Sequence, residues 1–279
     1  MTVPDTDIDP DGLLRRYLHD RRFLLVLPRA VALQMLHPAI AAGMDHSRTP
    51  RRLWLHNRRT VPVLVRAAYD DRHIRPIVRF AHEDVKGTDD LGRRYHALDP
   101  DVFFFQHATY VDTLVTMIDV FVRRLEVGEK EALYRDSCAW YRRYGISDRR
   151  MPQDWTEFTD YFDDACASVL ARTPSGDRYR DQILRPRDWV QRGIPARVVR
   201  ALLHPAARTL WEVDVAPPID AHWPRTRRTG DCVEDRSRGN RTADRQNGSS
   251  PGTAPGPSGG KCGSRGFRRG ADQVLRLAT

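Results

Sequence analysis

Apolar residues recur at three- and four-residue intervals over most of the first 212 positions, and no segment of comparable length alternates with a period of two. That pattern predicts an all-α domain. Residues 11–43 read as one or two helices interrupted near Pro28, with Phe23, Leu24, Val31, Leu33, Met35 and Leu36 on the apolar face and Gly43 as the stop. A second apolar set, Leu53, Trp54, Val61, Val63, Leu64 and Val65, predicts a helix over 51–69. Ile74, Ile77, Val78, Ala81, His82 and Val85 form a third stripe, with Pro76 near its first turn and Gly87 where a C-cap glycine belongs. A polar loop, "TDDLGRRYHAL", then leads into 99–125. Helices are expected to follow at 128–144, at 154–172 with Trp155, Phe158, Tyr161 and Phe162, and more weakly over 185–212.

The segment 99–125, "DPDVFFFQHATYVDTLVTMIDVFVRRL", raises the first chemical question. Asp99 suits the N-cap, Pro100 the first helical position and Asp101 the positive end of the dipole, while Arg123 and Arg124 suit the other end. Phe103, His107, Tyr110, Leu114, Met117, Ile118, Phe121 and Leu125 share one face, so a histidine points into the core. A buried imidazole needs something for each ring nitrogen. One N–H can donate to a backbone carbonyl a turn earlier, which leaves the other nitrogen as a lone-pair donor, the arrangement of an axial metal ligand. The alternative is a core histidine bonded to another side chain. His82 lies on the inward stripe of the preceding helix, with Arg79 three residues earlier on nearly the same side. Two inward histidines on consecutive helices suit the two sides of a flat cofactor such as haem, and a pair of core histidines fits the spacing as well.

Composition narrows the classes. From Pro224 to the end there are 12 Lys and Arg against 5 Asp and Glu, so +7 of the formal +9 lies there, together with 10 of the 18 glycines. The tail, taken as 213–279, reads as disordered or as a shifted reading frame. From Pro224 on, Phe267 is the lone aromatic, and the tail does not read as a nucleic-acid arm. Residues 1–14 read as an N-terminal arm and 15–212 as the domain. Cys138, Cys166, Cys232 and Cys262 show no metal-binding or redox spacing and fit reduced thiols of a cytoplasmic protein. No run reaches bilayer length, so stable membrane insertion is not expected, and the acidic start differs from a secretory signal. "HEDVK" lacks the second histidine of a zinc protease, and no Gly-x-Ser-x-Gly elbow supports a serine hydrolase. His37 precedes Pro38, a junction that disfavours helix and is expected to mark a bend, and His37 and His46 read as structural hydrogen-bonders.

The stretches "LQMLHPAIAAGMDHS", "RFAHEDVKGTDDLGRRYHALDPDVFFFQHATYVDT" and "YRRYGISDRRMPQDWTEFTDYFDD" resemble the catalytic domain shared by rubber oxygenases and the fungal oxygenase MpaB, over about residues 15–210, with "HATYVD" the most specific block. The resemblance implies a helical, globin-like fold around haem b and oxidation of a carbon–carbon double bond in isoprenoid chains by dioxygen. It implies His107 as the proximal iron ligand and Arg79 and His82 as distal polar residues; the residues themselves offer Phe103, Phe104, Phe105 and Tyr110 as an apolar wall for cofactor or substrate, or as ordinary core. The partners so implied are O2 and a small hydrophobic substrate. The other class that fits is a helical haem- or apolar-ligand-binding protein without turnover.

Overall fold

The computed structural model describes residues 7–46, 51–70, 74–187 and 193–214. Among them the chain runs through α1 (Leu13–Tyr17), α2 (Arg21–Leu36), α3 (Pro38–Gly43), α4 (Leu53–Ala67) and α5 (Ile74–His82), then a hairpin of β1 (Lys86–Thr88) and β2 (Arg94–His96). It continues through α6 (Pro100–Phe121), α7 (Val127–Arg143), α8 (Trp155–Ser168), α9 (Pro174–Leu184), α10 (Ala196–Leu202) and α11 (Pro205–Leu210). Residues 215–279, most of the expected tail, lie outside the described residues. In the stretch expected as an arm, Ile8 and Leu14 are buried.

Helices α2 and α6 form the centre, and both are buried on nearly every side, as helices apolar all round must be. α1 packs on α7, α8 on α6 and α7, and α9, α10 and α11 on α2. One charged pair crosses the centre. Arg29 grips Asp112 bidentately at 2.6 and 3.0 Å and donates to the Leu202 carbonyl at 3.2 Å, tying α2, α6 and α10 together.

Pro28 does not break α2, contrary to the expected interruption. A proline there forfeits one helical hydrogen bond at a cost of about 3 kcal/mol, and burial of eleven residues of the helix, Pro28 included, outweighs that loss. The break falls instead at His37, whose extended backbone (φ −82°, ψ 113°) is what a following proline demands. A 95° bend separates α2 from Pro38–His46 there, and among the described residues no single helix is long and apolar enough to cross a membrane.

The expected loop after α5 is partly a hairpin. β1 and β2 pair antiparallel in the register Lys86↔His96, Gly87↔Tyr95 and Thr88↔Arg94, so Gly87 is a strand residue rather than a helix cap. Asp89 builds the turn by accepting from the N–H groups of Leu91 and Arg93, both at 2.9 Å. Its neighbour Asp90 accepts from the N–H of Ser175 at 2.7 Å, seating the hairpin on the first turn of α9. α9 buries Tyr179, Ile183 and Leu184, and its first turn lies close against α2. A Cβ on Gly176 would collide with the carbonyl oxygen of Met35, so only glycine lets α9 approach α2 this closely.

Helix α6 starts as expected, with Asp99 accepting from the Asp101 N–H at 2.9 Å and Pro100 at the first position. It ends at Phe121 rather than 125. Arg123 turns to Glu129 at 2.6 Å, and Asp119 accepts from the Leu125 N–H at 2.7 Å, which closes the chain into α7.

Candidate functional site

His107 sits midway along α6 with 2% of its surface exposed. Its partner lies across the interface with α7 rather than one turn earlier on α6. Nε2–H donates to the Ser137 carbonyl at 3.1 Å, while Ser137 turns its own hydroxyl back to the Tyr134 carbonyl at 2.7 Å. Burial pulls the imidazole down to about 3, with the Ser137 bond opposing, so the ring is neutral and Nδ1 carries a lone pair. Among the described residues Nδ1 has no hydrogen-bond partner.

The wall around it is aromatic and comes mainly from α7. The His107 ring centroid stands 4.7 Å from Trp140, 5.2 Å from Tyr141 and 5.7 Å from Tyr144, with Phe104 of α6 at 6.3 Å. Trp140 donates its indole N–H to the Leu64 carbonyl at 3.1 Å, pinning α7 to α4. Tyr110, one turn beyond His107, is buried near Gln34, whose amide donates to Thr109 Oγ1 at 2.8 Å. Phe103, one turn before, stacks edge-on against Tyr144 at 5.7 Å. The α7 residues were not singled out in the sequence, although Trp140, Tyr141 and Tyr144 in "CAWYRRYG" already share a helical face.

His82 reaches the edge of this cluster. Its ring meets Phe103 edge-on at 5.4 Å, so Phe103 and Tyr144 stand between the two histidines. Nδ1–H donates to the Val78 carbonyl at 2.7 Å, one turn earlier. Burial holds the ring below the usual histidine range, and His56 of α4, also lowered by burial, lies near enough to feel its charge. Arg79 does not join the site. Three residues from His82 on a 3.6-residue turn, it is rotated about 60° further toward water. Its side chain is 80% exposed, 3.6 Å from Glu83.

His37 is buried at the α2–α3 bend, where Nδ1 accepts from the Ile40 N–H at a long 3.5 Å and the ring lies 5.1 Å from Phe105. Burial, then the Arg93 charge, bring it down to about 4. His46 is exposed at the end of the turn after α3. Among the described residues no three His, Cys, Asp or Glu side chains converge on a point that could hold a metal ion. What the site offers is one fixed, neutral imidazole with a free lone pair in a dry aromatic setting, suited to an electron-pair acceptor that needs a single protein ligand.

Residues 15–234 match the model of the ER-bound oxygenase mpaB/B'/Rubber oxygenase catalytic domain. The chain belongs to this family. Membership in the MpaB/rubber-oxygenase family points to oxygenase activity, and the match runs past the domain end expected at 212. No curated protein and no solved structure matches the chain.

Proposed function

We propose that this protein is a haem-dependent oxygenase that oxidises a carbon–carbon double bond of a small hydrophobic, isoprenoid-like molecule with O2. One observation carries the reading: inside an aromatic core, His107 is neutral, fixed through Nε2 and left with an unpartnered nitrogen. An orphaned buried polar atom costs about 1–3 kcal/mol, so the ring marks a place that packing alone does not explain. His107 supplies the ligand type that haem b would take, but the nitrogen left free is Nδ1, crowded by the side chain's own Cβ, so the ring as placed does not fit a porphyrin; holding one would require Nε2 to leave the Ser137 carbonyl. When bound, haem supplies the activation of dioxygen.

The remaining work belongs to the chain. Ser137 fixes the tautomer and orientation of His107. Phe103 and Tyr110 flank it with apolar surface for cofactor and alkene. His82, having given its Nδ1 proton to Val78, presents a lone pair at Nε2 and suits accepting a proton or hydrogen bond there. Stabilising negative charge would need its protonated form, which burial disfavours. Arg79 keeps its charge in water, so the reading gives it no place at the reacting atoms.

Protein produced with a haem supply is expected to show a Soret band. His107→Ala is expected to keep its far-ultraviolet circular dichroism and lose most of that band, while His37→Ala retains it. Full haem in His107→Ala would sink the assignment. Oxygen uptake that depends on an added isoprenoid alkene distinguishes an oxygenase from a haem-binding protein without turnover.

A further inference from the structure

We propose that the outer surface of α4 and α5 is a docking face for an anionic lipid bilayer, on which arginines meet the headgroups while Phe80 and Ile77 enter the interface. Residues 51–82 hold eight arginines and two aspartates, a balance of +6, although residues 1–223 as a whole carry only +2. The positive charge is therefore local. Helix α4 contains no acidic residue, and Arg59, Val63 and Arg66, spaced four and three apart, stand exposed along one face. His56 lies on that face one turn before Arg59 and is near enough to His82 to feel its charge, which sets the face beside α5.

On α5 the core takes only Ile74 and Val78. Phe80, about 200° around the helix from Val78, is 71% exposed, and Ile77 is 51% exposed. Arg75 is exposed on the same helix, and the Arg79 side chain stands 80% in solvent, with Glu83 loosely paired to it at 3.6 Å at the C-terminal end. Large apolar side chains left in water among arginines are the composition of a surface that lies on acidic headgroups without spanning the membrane. Other occupants fit less well. A second copy would set these arginines against their own likeness, and a nucleic acid would engage the arginines but leave Val63 and Ile77, which cannot stack on bases, without a partner. Under the function proposed above, the face would bring a lipid-dissolved alkene to the helix that carries His82; docking itself is independent of that reading.

Full-length wild type, Phe80→Ser, Phe80→Trp and the double variant Arg59→Gln, Arg66→Gln should be mixed with vesicles of phosphatidylcholine, alone or with about 30% phosphatidylserine, and the bound fraction read by sedimentation. Residues 224–279, with a charge of +7, are common to all four proteins and cancel from the comparison. The wild type is expected to bind the acidic vesicles and not the neutral ones. Phe80→Ser is expected to bind about tenfold more weakly, and the double variant about twenty- to thirtyfold. Both should melt as the wild type does, because the three side chains are exposed. Phe80→Trp is expected to bind normally and to show a blue shift, and quenching by brominated acyl chains, beyond those of the wild type. Equal binding by all four proteins, or binding indifferent to phosphatidylserine, would overturn the proposal. So would tighter binding of a duplex oligonucleotide with no dependence on Phe80, or a wild-type dimer that Phe80→Ser abolishes without any vesicle binding. Vesicle binding needs no haem, so its failure leaves the Soret test of the function standing.

Discussion

His37 shows how one side chain ties stability to pH. In the unfolded chain it takes a proton near 6.5, whereas in the fold burial and Arg93 hold it to about 4. The folded state therefore refuses a proton that the unfolded state accepts, so its contribution is complete above 6.5 and is lost as pH falls toward 4. At pH 5 the loss is about 2 kcal/mol. His37→Asn keeps a side chain that caps α3 and removes the titration. Denaturant melts at pH 7.5 and pH 5 are expected to show that share of acid sensitivity in the wild type and not in the variant. Equal pH slopes would mean that the fold accommodates the imidazolium. At this scale the sequence was informative where one residue contradicts its surroundings, as His107 does on an apolar stripe. It was silent on the companions of that residue. Trp140, Tyr141 and Tyr144 share a helical face interrupted by Arg142 and Arg143, but only the packing of α7 on α6 tells that this face meets His107.

Among the elements, backbone proximity decides what a sequence pattern cannot. Gly176→Ala would gain helix propensity in α9, but its Cβ collides with the Met35 carbonyl, so α9 must back away from α2. The expected net loss is roughly 2–3 kcal/mol, read from urea melts. Gly128→Ala, inside α7 with open space around its Cβ, is expected to gain about 0.5–1 kcal/mol. Opposite signs for one chemical change would confirm that the α2–α9 approach sets the cost. The same logic separates what was legible from what was not. α6 announced itself through Asp99–Pro100 and a long apolar face, and α8 through Asp154 and its aromatics. α9 was hidden because its first turn packs through Ser175 and Gly176 and its buried apolar residues, Tyr179, Ile183 and Leu184, come only in its second half among charged neighbours. The hairpin was hidden because it is short and charged, and its turn depends on the Asp89 carboxylate. On α5 the stripe was real, but only Ile74 and Val78 are buried, while Ile77 and Phe80 face water.

For the molecule as a whole, the family match ends at 234. Deleting residues 235–279 is expected to leave the melting temperature and hemin uptake as they are in the full chain, and a cooperative transition lowered by several degrees would show that the segment supports the domain. The all-round burial of α2 also has a consequence in time. The helix is complete at residue 36, but it is covered by α6, α9, α10 and α11, the last of which ends at Leu210. At about 5–20 residues per second of synthesis, the α2 segment waits roughly ten to thirty seconds outside the ribosome before its last partner exists. During that interval the segment that makes the finished protein cohere is its main hazard, and protein made in a chaperone-free translation system should aggregate as nascent chains before the final helices are added.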